Sequence, residues 1–317
     1  MDSSGLAVRL TSTGIVCLGT VLHALVIYLT WRRKHADSPA YSLFMQIYSA
    51  FCIFQFVAGW TLTISYSFVD SYVFYNGIGS YLGPVFCYLL TLFSNPFKNI
   101  IYSMIPTGMA FRVFIVCGKK LRRKHVIFWT AVIILTEAPL VLILLHAYTP
   151  LSEANITLSE DLHQQLIEKA AVFIIYPYKW EVWYQTYIEG QRFYVCVPLT
   201  FILGFIAMWK LTRFQRDISP QTAKVQRAFI YLLTFEALSL CLGFLLDITR
   251  KLLRDRIVTS QAVNTIVTEY GTCVTSLIPT LQAVAMVCLV PYFRDEVKAF
   301  ITRSTVSVLV SAPSTTQ

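Results

Sequence analysis

The chain has 317 residues, of which 56% are hydrophobic and only 14% charged, and it carries a net charge of +9. A soluble globular domain has roughly 25% charged residues, so this composition excludes an ordinary soluble domain. The positive balance does not point to nucleic acid, because the basic residues fall in short strips between apolar blocks rather than on one exposed domain.

A bilayer core needs about 20 mostly apolar residues per helix. Blocks of that kind lie at about 13–31, 41–68, 81–117, 126–148, 192–211, 226–248 and 262–290. The expected fold is therefore all-α, a seven-transmembrane helix bundle forming one domain over residues 1–303. The first block runs directly into Arg32, Arg33 and Lys34 and reads as an uncleaved signal-anchor. The third block, at 1.5 Å per residue, reaches roughly 50 Å and contains Pro96 and Pro106. Each proline removes a ladder hydrogen bond, so the block reads as one long kinked helix rather than two short ones. Beyond the seventh block, Pro291 ends the span, and Phe293, Val297, Phe300 and Ile301 recur at helical spacing with charges between them. That pattern predicts a short amphipathic helix over 291–303 lying on the inner leaflet. The Ser/Thr-rich tail, 304–317, is expected to be disordered.

Orientation follows from lysine and arginine in the connections. The first connection holds Arg32, Arg33 and Lys34, the third Lys119, Lys120, Arg122, Arg123 and Lys124, and the fifth Lys210, Arg213, Arg216 and Lys224. The long fourth connection is acidic, with Glu153, Glu160, Asp161, Glu168, Glu181 and Glu189 against Lys169 and Lys179. The odd connections are therefore expected inside, with the N-terminus outside and the C-terminus cytosolic. Arg250, Lys251, Arg254 and Arg256 dissent, but later loops weigh less. Asn155-Ile156-Thr157 in the acidic connection is a glycosylation acceptor, usable only on the lumenal side.

The sequence contains no HExxH, GxSxG, P-loop or dinucleotide fingerprint. Its five histidines are scattered, and its eight cysteines form no CxxC pair and lie mostly in or beside apolar spans, where they read as small packing residues. No catalysis, cofactor or metal is expected. Ionisable groups inside the spans are more informative, since each is costly unless it meets a partner or water. Lys98, Glu137 and Glu236 lie within the third, fourth and sixth blocks, and Asp247 and Glu269 toward the outer ends of the sixth and seventh. They either line a polar cavity, with Lys98 locking onto Glu236 or Glu137, or hold helices together by static hydrogen bonds. The acidic connection also carries Trp180, Trp183 and several tyrosines, which form either a lid over a ligand mouth or an interfacial aromatic belt. Lys98, Trp180, Trp183, Glu236 and Glu269 are the candidate small-molecule ligand residues.

The segment Ile218 to Phe229 contains Ser219, Thr222 and Gln226. It resembles the Ser-x-x-Thr-x-x-x-Gln stretch that opens the sixth helix in nematode serpentine chemoreceptors of the Str superfamily. The ending Val290-Pro291-Tyr292-Phe293-Arg294 is similar to the Pro-Tyr-Arg ending of its class h members. The outer stretch Gln165 to Lys169 leading to Tyr176-Pro177 is faintly like that class. The resemblance implies a rhodopsin-like, G protein-coupled receptor for a small environmental chemical, in the plasma membrane of a sensory neuron cilium, with membrane lipid and a heterotrimeric G protein as partners. It implies a basic inner face, for which Arg112, Lys119, Arg213, Arg216, Lys224 and Arg227 are the candidates. Arg112 is placed like the arginine such receptors use in their third helix, although the neighbouring acidic residue is missing. Cys87 is placed like their usual disulfide cysteine; no cysteine lies between Tyr148 and Tyr194, leaving Cys196 as the candidate partner. The competing reading is a transporter or channel with a Lys98/Glu137/Glu236 relay, which the odd span number and lack of an internal repeat disfavour. Glycosylation mapping checks the orientation: Asn155 is expected to be modified, and an unmodified Asn155 together with a cytosolic N-terminal tag overturns it.

Overall fold

The structure, a computed structural model, describes residues 3–32, 39–62, 64–67, 72–75, 78–150, 172–174, 180, 192–213, 220–254, 260–291, 293–299 and 302. Asn155, Trp183, Arg216 and the tail 304–317 lie outside the described residues, as do the side chains of Asp247, Arg250, Lys251, Arg254 and Glu269.

The long helices are α1 (Ser3–Arg32), α2 (Pro39–Leu62), α3 (Pro84–Val116), α4 (Arg123–Leu135), α5 (Ala138–Ala147), α6 (Arg192–Arg213), α7 (Pro220–Arg254) and α8 (Gln261–Leu289). A short helix α9 (Phe293–Ala299) follows, bent by 78° from the end of α8. Among the described residues six spans are long and apolar enough to cross a membrane, α4 and α5 counting together as one, and a seventh is reached if the bent α8–α9 pair is one span. The outward faces are apolar, with Leu18, Val21, Val57, Phe93, Phe128, Leu142, Phe205 and Leu238 all exposed. Such a belt has no place in water and is what hydrocarbon solvates.

The chain bends where its residues dictate. Gly83, with φ +92°, takes a conformation closed to side chains with a Cβ, and Pro84 then starts α3, where its missing N–H costs nothing. Pro139 interrupts the fourth span two residues into α5: Glu137 N–H turns back to Ile134 O at 3.0 Å and the Thr136 hydroxyl bonds Ile133 O at 2.6 Å. Pro96 and Pro106, by contrast, both lie inside the single helix α3.

α3 is the hub. It packs against α2, α4, α5, α6 and α7, while α1 closes the ring between α2 and α8. In its most apolar window 67% of residues are buried, against 28–50% in the other candidate spans, so α3 tolerates polar groups that a lipid-facing helix does not. The main core joins Tyr41, Phe44, Tyr48 and Phe56 of α2 to Ile101, Met104 and Ile105 of α3, Phe229 and Leu240 of α7, Met286 of α8 and Phe293 of α9. Phe293 is fully buried there and Val297 packs beside it, while Arg294, Asp295, Glu296 and Lys298 are exposed. α9 is thus amphipathic and held to the bundle by its own aromatic anchor.

One element has no counterpart in the sequence reading. Strands β1 (Ile64–Ser67), β2 (Tyr72–Tyr75), β3 (Tyr148–Pro150) and β4 (Val172–Ile174) form an antiparallel sheet in the order β1-β2-β4-β3. The second apolar block was expected to stay helical to about residue 68, but α2 ends at Leu62 and residues 64–67 pair with 72–75. The sheet lies at the end of the bundle where α2 and α5 finish and α3 begins. The opposite end carries Arg32, Lys119, Arg123, Arg213 and Lys224, and there Arg32 meets Glu296 of α9 at 3.8 Å. Both partners are about half exposed, so this ion pair contributes little.

Two glycines set helix spacing. A Cβ on Gly19 of α1 sits 2.5 Å from both the Phe56 ring and Thr280 Oγ1, and one on Gly108 of α3 sits 2.9 Å from the Phe44 ring. Gly14, also on α1, has nothing within 4 Å of such a Cβ. Gly19→Ala should therefore cost about 1–3 kcal/mol through overpacking, whereas Gly14→Ala should be neutral or stabilising by about 0.5–1 kcal/mol. Thermal unfolding of the two variants in detergent checks this, and equal melting temperatures contradict it.

Candidate functional site

The polar residues of the spans converge on the interior. Nearest the basic end, Arg112 of α3 is only 3% exposed. Its guanidinium carbon lies 3.3 Å from the ring centroids of both Tyr41 (α2) and Phe229 (α7), and these rings meet edge to face with centroids 5.4 Å apart. A guanidinium suits this slot because it is a delocalised, weakly hydrated cation that ring faces attract. Glu236, two helical turns further along α7 and equally buried, is the carboxylate whose field bears on Arg112.

A hydrogen-bonded chain continues from there toward the sheet. The Tyr48 hydroxyl donates to Gln282 Oε1, Gln282 Nε2 donates to Ser239 Oγ at 3.0 Å, and the Ser239 hydroxyl donates to Glu236 O at 2.7 Å. Gln282 is fully buried, and this arrangement satisfies both ends of its amide. Beside it, fully buried His23 of α1 places Nδ1 3.1 Å from Ser49 Oγ and Nε2 3.1 Å from Pro279 O. A carbonyl only accepts, so the ring carries its proton on Nε2 and Nδ1 accepts from the serine hydroxyl. The line joins α2, α8 and α7, and the His23 bonds join α1 to α2 and α8 beside it. A separate bond ties α3 to the break in the fourth span, where Asn99 Nδ2 donates to Glu137 Oε2 at 3.3 Å.

These contacts redistribute the roles assigned from sequence. Lys98 is half-buried on α3 with its ammonium 5.8 Å from the Tyr102 centroid. Of the two carboxylates considered as its partners, Glu137 accepts a hydrogen bond from Asn99, and Glu236 feels the charge of Arg112. Arg112 itself is enclosed rather than presented at the basic face. Trp180 is 53% exposed, and Glu269 is placed only by the backbone of α8. Lys119 and Arg213 are exposed and lie over their neighbours Phe114 and Trp209. Lys224 and Arg227 line a groove on the outside of α7. Cys87 and Cys196 are both buried thiols and not a disulfide. A Cβ added at Gly79, in the turn Ile78–Leu82 that precedes α3, would lie 3.4 Å from the Cys87 sulfur. Among the described residues no group of three or more His, Cys, Asp and Glu is placed to hold a metal.

The chain matches no family model and no curated protein. The reading of its site therefore rests on its own geometry. His23, Ser239 and Gln282 were missed from sequence, although each is a polar residue in mid-span and the rule that flagged Glu236 applies equally to them.

Tyr48→Phe removes one interhelical hydrogen bond and should cost about 0.6–1.7 kcal/mol. Arg112→Lys should cost more, about 2 kcal/mol, because an ammonium is more strongly hydrated than a guanidinium and loses more on burial between the rings. Thermal unfolding in detergent ranks the pair, and a fully stable Arg112→Lys contradicts the slot's importance.

Proposed function

We propose that this chain is a seven-span signalling receptor, with α8 as the seventh span and α9 lying along the membrane surface at the basic end. The N-terminus then faces outward and the basic end faces the cytosol, the orientation that the lysine and arginine strips of the odd connections favour. By resemblance to the nematode chemoreceptors, the ligand is a small environmental chemical, the transducer is a heterotrimeric G protein, and the site of action is the plasma membrane of a sensory cilium.

The observation that carries this reading is the slot in which Arg112 of α3 is gripped by Tyr41 of α2 and Phe229 of α7. It is a discrete contact between three helices, at the end where a cytosolic partner docks, and it is either closed or broken. An outward movement of α7 takes Phe229 off the guanidinium and opens the basic end. The polar line through Gln282 reaches α7 at Ser239, whose hydroxyl bonds the Glu236 backbone carbonyl one turn back, so a ligand that rearranges that line biases the slot. A ligand shifts the equilibrium only by its differential affinity for the two states.

The rival is ion or proton movement along Lys98, Glu137 and Glu236. It draws support from the burial of both carboxylates within the bundle.

Purified chain in nanodiscs with heterotrimeric G protein tests the proposal. Phe229→Ala removes one ring from the slot, worth up to about 2 kcal/mol, and should raise ligand-independent nucleotide exchange by as much as about thirtyfold. Lys98→Met should also change basal exchange. Unaltered exchange in a well-folded Phe229→Ala counts against the slot as a switch, and ligand-independent flux of ions across the bilayer overturns the receptor reading in favour of its rival.

A further inference from the structure

At the basic end a groove of about 500 Å³ runs between the start of α7 and the α8–α9 bend. It is lined by Pro220, Ala223, Lys224, Arg227, Ala228 and Tyr231 on one side and Leu289, Pro291 and Arg294 on the other. Its α7 positions recur every three or four residues, so they form a single stripe. At 100° per residue that stripe lies opposite Phe229, Leu233 and Glu236, the residues that α7 turns into the bundle. The groove therefore opens sideways, on the face of α7 that points out of the bundle.

Two properties of this stripe determine what fits it. First, its shallow end is cationic. Lys224 and Arg227 lie in the first turns of α7, and Arg294 faces them from α9. The α7 N-terminus adds the partial positive charge of its backbone N–H groups. Arg294 Nε also reaches Asp295 Oδ1 at 3.5 Å, which places one carboxylate at the rim and offsets part of the charge. Second, the stripe continues deeper as apolar surface, with Tyr231, Leu238, Leu242 and Leu245 all exposed along the same face. The small side chains of Ala223 and Ala228 leave the space between.

A soluble anion uses only the first property, and a neutral lipid only the second. We propose that the groove binds an anionic membrane phospholipid, its phosphate-bearing headgroup held by Lys224, Arg227 and Arg294 and an acyl chain lying along the outward face of α7. Because the occupant spans α7 and the α8–α9 bend, it holds α7 to its neighbour from outside the bundle. The inference does not depend on the receptor reading, since binding is measured with no G protein present.

The test is native mass spectrometry of the full chain released from nanodiscs containing phosphatidylcholine with either phosphatidylserine or phosphatidylinositol bisphosphate. Retained anionic lipid should exceed phosphatidylcholine by about tenfold or more. A cation at a membrane surface changes affinity by roughly fivefold, so the triple variant Lys224→Gln/Arg227→Gln/Arg294→Gln should lower occupancy by at least about twentyfold. Ala228→Trp fills the groove without altering its charge and should lower occupancy as well. Removing three charges elsewhere at the same end, as Lys120→Gln/Arg122→Gln/Arg123→Gln, should change it by less than about threefold. The proposal is overturned by equal loss in that control, by equal retention of phosphatidylcholine, or by a soluble inositol phosphate headgroup that binds as tightly as the lipid. If the triple variant does not fold, Ala228→Trp and the wild-type lipid preference decide the question.

Discussion

Hydrocarbon offers the peptide backbone no hydrogen-bond partner, and it penalises every side-chain charge that is not matched inside the protein. Most of what this chain does follows from that constraint. Its backbone is helical wherever apolar blocks reach bilayer length, its outward faces are apolar, and its polar groups are drawn to the interior. There they have only one another. His23 finds Ser49 and the Pro279 carbonyl, Tyr48 finds Gln282, and Asn99 finds Glu137. Such bonds are modest in energy, but each is directional and fixes how two helices face each other.

Arg112 meets the same constraint differently. No carboxylate neighbours it in sequence, and the interior offers it aromatic faces together with the more distant field of Glu236. A guanidinium between two rings is attracted by their quadrupoles, a contact worth up to about 2 kcal/mol when desolvated. A contact of that size suits a switch meant to open and close. It also accounts for the missing acidic neighbour, since Tyr41 and Phe229 supply from other helices the stabilisation that a local carboxylate otherwise gives.

The helices were legible in the sequence because a bilayer-length apolar run is a signal that needs no tertiary context. Reading 81–117 as one helix rather than two agrees with α3, which runs from Pro84 to Val116 with Pro96 and Pro106 inside it. Pro139 does break its span, and the difference lies in the surroundings: α3 is clasped on most sides, whereas the fourth span is exposed to lipid over much of its length. The sheet was not legible. Its strands are three or four residues long and pair across distant parts of the chain, so no local period betrays them. The slot was half legible. Arg112 was singled out for its place along the third helix, but its aromatic partners come from α2 and α7, and only the fold brings them within reach.

The sheet has a mechanical consequence. Its strands staple the end of α2 to the approach to α3, join both to the end of the fourth span, and rest against α8. The sheet end of the bundle is thereby tied together by backbone pairing, and a long helix held at that end acts as a lever. α8, against which β1 rests, has 29 residues, a length of roughly 44 Å at 1.5 Å per residue. A tilt of about 5° near the sheet sweeps its far end through roughly 4 Å on that length, most of one helical turn. Small rearrangements near the strands thus emerge magnified at the opposite rim.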